Sequence, residues 1–193
     1  MIDKEQKYYQ RIKEKFIGEQ VIEVYYEELD YQTDEEYWEM STDIHSIDMN
    51  VILKMKSGQI LQIKWDNEFF SYGIGFEELA AITKREGIKT IDVATNPNWQ
   101  SIIGQKVLAI RVIWDNDESV TTTYHKNGVV ENKTAIIKVP SSWEIEFQNS
   151  KIWISALEIE ANYFWADHLT VFFTQKANEK YELIRKSSIK HSV

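Results

Sequence analysis

Apolar and polar residues alternate from Val51 to Trp65 in the pattern of a β-hairpin. Val51, Leu53 and Met55 form one apolar row, and a second alternating run follows a Ser57-Gly58 corner. Neighbouring side chains on a strand point to opposite faces, so a row at every second position marks one buried face. Glycine accepts the positive φ of a tight turn. The stretch therefore predicts a strand, a turn and a second strand.

The same pattern returns from Trp143 to Leu157. Here Trp143, Ile145 and Phe147 occupy the places of the first apolar row. A repeated alternation predicts that the same face is buried twice. The sequence therefore predicts two hairpins related by duplication, in which Ile145 and its counterpart Leu53 are both buried.

A helix, a glycine and a strand precede the first hairpin. Asp3 is a helix N-cap, and the chain turns at Gly18 into a strand from Val21 to Tyr26. The helix has one apolar stripe at a spacing of four residues, formed by Tyr8, Ile12 and Phe16. We expect this stripe to face the core.

The second copy repeats this order with an insertion. Asn96-Pro97 begins a short helix, Gly104 ends it, and a strand follows from Val107 to Trp114. Extra residues then separate this strand from the hairpin, and they fall within Asp115 to Ser142. An Asn127-Gly128 pair between β-forming runs predicts an added hairpin there.

The segment from Leu79 to Thr83 is ambiguous in isolation. Its local sequence suits a helix, but its counterpart in the duplication, Thr170 to Thr174, is rich in β-forming residues. We therefore expect a strand at both places. Each would turn into a further strand, from Ile88 to Val93 in the first copy and from Tyr181 to Ile184 in the second.

These elements predict a mainly β protein of the α+β class. We expect an internally duplicated antiparallel β-sandwich with two short helices, and a partly open barrel is the alternative. The first repeat, residues 1–95, carries the N-terminal helix, and the second, residues 96–193, carries the short helix. Because neither repeat has an evident way to close its own sheet, we expect the two to form one compact domain.

Composition narrows the class of protein. The 193 residues are 43% hydrophobic and 27% charged, which is ordinary for a globular chain, and they include no cysteine. Disulfides and thiolate metal sites are therefore excluded. The N-terminal sequence MIDKEQKYYQRIKEKF lacks the apolar core of a secretory signal, and no run of about eighteen apolar residues occurs. We expect a cytoplasmic protein without a membrane partner.

Negative charge is concentrated in one segment of the chain. Phe16 to Leu53 contains eleven acidic residues and no lysine or arginine, so the rest of a chain with net charge −9 sums to +2. The acidic residues are Glu19, Glu23, Glu27, Glu28, Asp30, Asp34, Glu35, Glu36, Glu39, Asp43 and Asp48. This sign of charge disfavours nucleic acid and favours a basic protein as partner. A solvated face that only keeps the protein soluble, or a metal site, would give the same pattern.

Aromatic residues interrupt this acidic segment, among them Tyr25, Tyr26 and Tyr31. Tyrosine and tryptophan are enriched where protein interfaces are tight. We therefore predict that a basic partner binds here. The predicted partner-binding residues are Glu27, Glu28, Asp34, Glu35, Glu36, Tyr37 and Trp38.

No catalytic signature stands out along the chain. Glu144 with Glu146, and Glu158 with Glu160, share a strand face as the acid pair of a hydrolase would, but such pairs are also ordinary exposed positions. The four histidines are too far apart in sequence to predict a zinc pair, and no glycine-rich phosphate loop is present. We therefore expect no enzyme, no metal and no cofactor. A carboxylate-based hydrolase of β architecture or a carbohydrate-binding module is the alternative.

Three features of the chain are typical of a known class of bacterial proteins. They are the hairpin WEIEFQNSKIWISALEI followed by WADHLTVFF, the absence of cysteine, and the acidic aromatic segment EVYYEELDYQTDEEYW. In these features the chain resembles the small acidic cytosolic immunity proteins of bacterial polymorphic toxin systems and the uncharacterised proteins found beside them. The resemblance implies a protein that binds a cognate toxin and blocks its active site or its assembly. We therefore expect a non-enzymatic binding protein that neutralises a basic toxin domain.

Overall fold

The computed structural model describes residues 3–34, 36–69, 73–124, 130–156, 158–160, 163–165 and 168–189. Within these ranges the helices are α1 (Lys4–Phe16), α2 (Pro97–Gln100) and α3 (Gln175–Ile189). The strands are β1 (Val21–Leu29), β2 (Trp38–Ser41), β3 (Ile44–Ile47), β4 (Asn50–Met55), β5 (Ile60–Asp66), β6 (Gly73–Leu79), β7 (Ile88–Asp92), β8 (Val107–Tyr124), β9 (Val130–Phe147), β10 (Lys151–Ser155), β11 (Glu158–Glu160), β12 (Tyr163–Trp165) and β13 (Leu169–Phe172). No described helix is both long and apolar enough to cross a membrane.

Most of the strands form two antiparallel sheets. The five-stranded sheet has the order β6-β5-β4-β1-β7, and the six-stranded sheet has the order β2-β3-β13-β10-β9-β8, while β11 and β12 pair with each other. The described strands do not close into a barrel. The prediction of a mainly β, antiparallel sandwich is therefore confirmed.

One core contains the apolar rows of both predicted hairpins. Leu53 and Ile145, one from each hairpin, are fully buried in it. In the first hairpin Leu53 pairs with Leu61, and in the second Ile145 pairs with Ile152. The two hairpins therefore bury equivalent positions, as the duplication predicts.

The two halves of the chain exchange equivalent hydrogen bonds where they meet. The amide of Gly18 donates to the carbonyl of Val107, and the amide of Gly104 donates to the carbonyl of Val21, both at 2.8 Å. Gly104 and Val107 each lie 86 residues beyond Gly18 and Val21. Contacts that exchange in this reciprocal way are the mark of a twofold axis. The duplication is therefore visible in the structure as an approximate twofold between the halves.

Local sequence determines where α1 and α2 begin. At the start of α1 the side chain of Asp3 accepts the backbone N–H of Lys4, and Asn96 likewise accepts a backbone N–H at the start of α2. The apolar stripe of α1 is buried in the core, where the hydroxyl of Tyr8 donates to the carbonyl of Ile74 on β6. Both predicted helices are confirmed.

The sequence pattern did not predict β2 and β3. They come from the first half of the chain but extend the six-stranded sheet of the second half, where β3 pairs with β13. β7 remains in the five-stranded sheet, beside β1. Because the first half supplies two strands of the second sheet, the two halves are interlocked.

The prediction of a strand from Leu79 to Thr83 is wrong. β6 ends at Leu79, which pairs with the first residue of β5, so the hairpin offers no partner to the residues beyond it. By strand pairing, Phe76 of β6 corresponds to Val171 of β13, an offset of 95 residues rather than 91. The connection that leads to β13 is longer, which is why the offset changes. The strand predicted from Ile88 to Val93 is confirmed as β7.

The strand predicted from Tyr181 to Ile184 is also wrong, because α3 lies there. The hydroxyl of Thr174 accepts a hydrogen bond from the N–H of Ala177, as an N-cap does. Ala177 and Tyr181 are four residues apart on the helix and are buried against Trp153 on the outer face of the six-stranded sheet. This apolar pair stabilises a third helix where two were expected.

β8 and β9 continue past the sandwich as a two-stranded ribbon. The predicted added hairpin is an extension of these same strands, with ten register pairs from Asp115 with Val139 to Tyr124 with Val130. We call residues 115–124 and 130–139 the ribbon. The predicted Asn127-Gly128 turn lies outside the described residues. Most of the described ribbon side chains are exposed.

Candidate partner-binding site

Cations from outside the acidic segment compensate part of its charge. Each comes from a later element and pairs with a carboxylate on β1 or just after it. The pairs are Lys54 with Glu23 at 2.8 Å, Arg85 with Glu27 at 2.7 Å and Lys89 with Asp30 at 3.5 Å. Folding therefore relieves part of the repulsion that the sequence alone suggests.

Glu27 is buried. By the alternation of β1 it lies on the outer face of the five-stranded sheet, where the loop before β7 brings Arg85 over it. Its Oε2 accepts hydrogen bonds from Asn50 and Gln62, each at 2.6 Å, and from Arg85 at 2.7 Å. Three donors at one oxygen hold this carboxylate in a structural network. The prediction of Glu27 as a partner-binding residue is therefore corrected.

Glu28 is also buried, with 5% of its surface exposed, on the opposite face of β1. Its Oε2 accepts the backbone N–H of Asp48 at 3.0 Å. Burial, together with the nearby carboxylate of Asp48, raises the pKa of Glu28 to about 8. Glu28 is therefore a neutral carboxylic acid at pH 7 and supplies no docking charge, which corrects a second predicted residue.

Asp48 links Glu28 to His168, and His168 in turn lies near Trp38. The Nε2 of His168, just before β13, lies 3.1 Å from Oδ1 of Asp48, and the His168 ring lies 6.5 Å from the ring of Trp38 on β2. The side chains of Asp48 and His168 are 16% and 19% exposed, whereas Trp38 is 55% exposed. We call Glu28, Asp48, His168 and Trp38 the Asp48 notch.

Tyr37 is half-buried and anchors the acidic loop to the core. Its ring packs edge-on against Tyr26 with centroids 5.1 Å apart, and it lies 5.2 Å from the ring of His45. Its hydroxyl donates to Glu39 at 3.1 Å and accepts from Asn96 at 3.0 Å. Tyr37 therefore serves the fold as well as the surface.

A buried histidine, His45, lies beneath Tyr37. The Nε1 of Trp99 donates to the Tyr26 hydroxyl at 2.6 Å, and the same hydroxyl shares a hydrogen bond of 2.8 Å with Nδ1 of His45. The Nε2 of His45 lies 3.7 Å from Glu39, too far for a hydrogen bond. Burial lowers the pKa of His45 to about 4, so the ring is neutral.

The exposed part of the acidic segment is the loop after β1 together with β2. Tyr31, Trp38 and Met40 are large apolar side chains on the surface, with 64%, 55% and 48% exposed. Asp34 and Glu36 are exposed beside them. We call these five residues the acidic rim.

β2 is an edge strand of the six-stranded sheet. It pairs with β3, and an irregularity in the pairing between Glu39 and Ser41 falls at Met40. Bulges and charges on an edge strand oppose indiscriminate pairing with other chains. The rim therefore offers a partner its side chains rather than its backbone.

The structure brings only part of the predicted site together. Three of the seven predicted residues lie on the rim and a fourth lies at its base, while two are buried and Glu35 lies outside the described residues. The sequence did not indicate Met40 or the pairing of Asp48 with His168. No local pattern could have shown that pairing, because β3 and β13 bring the two residues together.

A second polar feature lies on the outer face of the six-stranded sheet, beside α3. It is an open cleft of about 620 Å³ lined by Arg111, Glu144, Lys151, Trp153, Gln175, Asn178 and Glu179. Burial opposes the charge of Glu144, but hydrogen bonds from Arg111 and Lys151 outweigh it and lower the pKa of Glu144. Glu144 is therefore held as a carboxylate and is unsuited to act as the acid of a hydrolase. The side chains of Glu158 and Glu160 lie outside the described part of the chain.

Fold and site together define the class of this protein: a duplicated antiparallel β-sandwich with an acidic, aromatic rim at one sheet edge. In the described part of the chain, no group of three or more histidine, aspartate or glutamate side chains is arranged to hold a metal ion. In comparisons with known proteins, no family model, no curated protein and no solved structure matches the chain.

Proposed function

We propose that this chain is a non-enzymatic binding protein whose acidic rim binds a basic protein. The observation that carries the proposal is the exposure of Tyr31, Trp38 and Met40 beside the carboxylates of Asp34 and Glu36. Aromatic side chains often dominate the energy of an interface, and charges around them steer the approach of the partner. A basic surface complements this rim.

The resemblance to immunity proteins supports a more specific form of the proposal. In this form the partner is a toxin domain, binding neutralises it, and both proteins meet in the cytoplasm. Gene order tests this form directly. A toxin gene immediately upstream would support it, and a position within a sugar-utilisation cluster would count against it.

Binding kinetics of rim variants with the product of the neighbouring gene test the proposal. Asp34→Asn combined with Glu36→Gln should slow association and flatten its salt dependence, because electrostatic steering raises association rates by about 10- to 1,000-fold and fades with salt. Trp38→Ala should instead speed dissociation by about tenfold or more, because truncating an aromatic anchor acts mainly on the bound state. Stopped-flow measurements at low and physiological ionic strength give both rate constants.

The matched control removes the same charge away from the rim. Glu14 on α1 and Glu146 on β9 are exposed, so Glu14→Gln with Glu146→Gln should leave both rate constants unchanged. Circular dichroism confirms that each variant is folded. If the rim double variant and the control double variant slow association equally, only the net charge of the protein affects association. If no rim variant changes either rate constant, the rim does not bind the partner and is only a solvated face.

The exposed ring of Trp38 also suits stacking on a sugar, which makes a carbohydrate-binding module the second candidate. A thermal-shift screen of soluble glycans separates the two functions, because a ligand at a hundred times its Kd stabilises a protein by about 2.7 kcal/mol. A glycan that raises the Tm of the wild type but not of Trp38→Ala would favour the module.

A further inference from the structure

Four segments of the chain meet at the Asp48 notch. β1 supplies Glu28, the turn between β3 and β4 supplies Asp48, His168 precedes β13, and β2 supplies Trp38. The notch adjoins the acidic rim because Trp38 belongs to both. The carboxylate of Asp48 is held in place, since its Oδ2 also accepts the backbone N–H of Leu29 at 3.3 Å.

The buried carboxyl group of Glu28 does not supply the negative charge of the notch. The side chain of Glu28 is more than nine-tenths buried, and no described N–H or O–H group donates to its Oε1. A buried carboxyl oxygen without a donor favours the protonated form, and the Asp48 side chain is in hydrogen-bond contact with Glu28. Asp48 therefore lies against a buried neutral acid on one side, and on the other side His168 links it to the exposed Trp38.

His168 already makes the contacts that an external cation would make. Its Nε2 pairs with Oδ1 of Asp48, and its ring meets the ring of Trp38 at an interplanar angle of 79°. A guanidinium in the same place could make both contacts. It would form a charge-assisted hydrogen bond with the carboxylate and a cation–π contact with the tryptophan ring. Because Trp38 is more than half exposed, an arginine can reach its ring from solvent, and the exposed 16% of the Asp48 side chain lies beyond His168.

We infer that the Asp48 notch binds one arginine side chain of the basic partner, with the guanidinium against Trp38 and hydrogen-bonded to Asp48. The inference rests on the proposed function and names the group that the rim recognises. Arginine fits better than lysine because a planar guanidinium stacks on an aromatic ring and donates through a rigid fork, whereas an ammonium is a compact, strongly hydrated charge. A divalent metal would need more oxygen ligands than one carboxylate supplies.

Short amidated peptides test the inference without the natural partner. Tetra-arginine, tetra-lysine and tetra-citrulline are titrated into the full chain, with citrulline as the neutral isostere of arginine. NMR follows the indole N–H of Trp38, assigned with Trp38→Phe, and the ring protons of His168. Tetra-arginine should shift both sets of signals and bind about fivefold or more tightly than tetra-lysine, and tetra-citrulline should not bind.

Two notch variants and one control accompany the titration. Asp48→Asn keeps an oxygen that can accept the N–H of Leu29 but removes the charge, so it should weaken tetra-arginine binding by about tenfold. Trp38→Ala should weaken it too, at an exposed position where folding is not at risk. Glu146→Gln on β9 should leave the affinity unchanged.

Three outcomes would overturn the inference, and the first two leave the proposed function standing. One is a set of shifts at Tyr31 and Met40 with none at Trp38 or His168, which would place the cation elsewhere on the rim. The second is equal binding of tetra-citrulline and tetra-arginine. If no peptide binds the wild type, the notch inference fails, and the kinetics with the neighbouring gene product decide the proposed function separately.

Discussion

Two buried titratable side chains, Glu28 and His45, make the stability of this protein depend on pH. Burial raises the pKa of Glu28 to about 8 and lowers the pKa of His45 to about 4, so both are neutral in the folded state at pH 7. Unfolding restores the ordinary values, near 4.5 for Glu28 and near 6.5 for His45. The contribution of Glu28 to stability is therefore complete below pH 4.5, and that of His45 is complete above pH 6.5.

Glu28→Gln should flatten the alkaline side of the stability profile. In the wild type the contribution of Glu28 is lost as pH rises from 4.5 through 8, by at most about 1.4 kcal/mol per pH unit, because only the unfolded chain releases the proton. Glutamine keeps an acceptor for the N–H of Asp48 and cannot ionise. Urea unfolding between pH 5 and pH 9 gives the two profiles, and parallel profiles would contradict a buried neutral acid at this position.

His45→Asn should flatten the acidic side of the same profile. The contribution of His45 is lost as pH falls from 6.5 through 4, because the unfolded chain takes up a proton that the buried ring does not. Asparagine can still form a hydrogen bond with the hydroxyl of Tyr26 near the place of Nδ1, because its amide group can donate or accept. Urea unfolding between pH 4 and pH 7 measures the slope. Glu28→Gln is the comparison: it removes the opposing contribution of Glu28 above pH 4.5, so this limb should be steeper than in the wild type.

Among the secondary-structure elements, the repeated hairpins form the core and the ribbon does not. Trp143 on the hairpin part of β9 is fully buried, and its Nε1 donates to the hydroxyl of Tyr8 at 2.9 Å. Tyr124, Val130 and Ile136 on the ribbon are exposed. One strand, β9, therefore runs from the solvent-exposed ribbon into the centre of the core.

Replacing a large aromatic residue should destabilise the protein strongly in the hairpin core and hardly at all in the ribbon. Trp143→Ala and Phe147→Ala should each destabilise the protein by about 3 to 5 kcal/mol, because a buried aromatic ring leaves a cavity. Tyr124→Ala should change stability by about 0.5 kcal/mol or less, because its ring contacts mainly solvent. Chemical denaturation at pH 7 compares the three. A loss below about 1 kcal/mol at Trp143 would mean that the hairpin does not form the core.

At the scale of the whole molecule, the halves are equivalent where they touch and different elsewhere. Gly18 and Gly104 have φ values of +87° and +89° and donate to equivalent carbonyls across the approximate twofold. The insertions differ: the first half contributes β2 and β3 to the other sheet, and the second half extends into the ribbon. The acidic rim lies on one such insertion, so it has no counterpart in the second half.

Gly18→Ala and Gly104→Ala should cost the same stability. A Cβ at either position meets no atom within 4 Å, so the cost is backbone strain alone, about 1 to 2 kcal/mol for a left-handed alanine. Urea unfolding of the two single variants measures it. A difference between them larger than about 0.5 kcal/mol would show that the two contacts are not equivalent.

The sequence indicates the exposure of part of the predicted site, but not the burial of Glu27 and Glu28. The loop that carries Asp34 and Glu36 is acidic and irregular, so its exposure follows from composition. Glu27 and Glu28 are equally acidic, but they lie within β1 and point to opposite faces of the sheet. The burial of each side chain therefore depends on which residues pack over that face. Arg85 covers Glu27, and Asp48 packs against Glu28 and donates a backbone hydrogen bond to it.

The sequence by itself determined the two hairpins, the starts of α1 and α2, and the duplication. Alternation, caps and turn glycines act over a few residues, so a linear pattern is enough to show them. Only the tertiary structure decided which acidic residues face solvent, where α3 replaces a strand, and that His168 meets Asp48. Each of these depends on packing between segments far apart in the chain, and such packing can override local propensity.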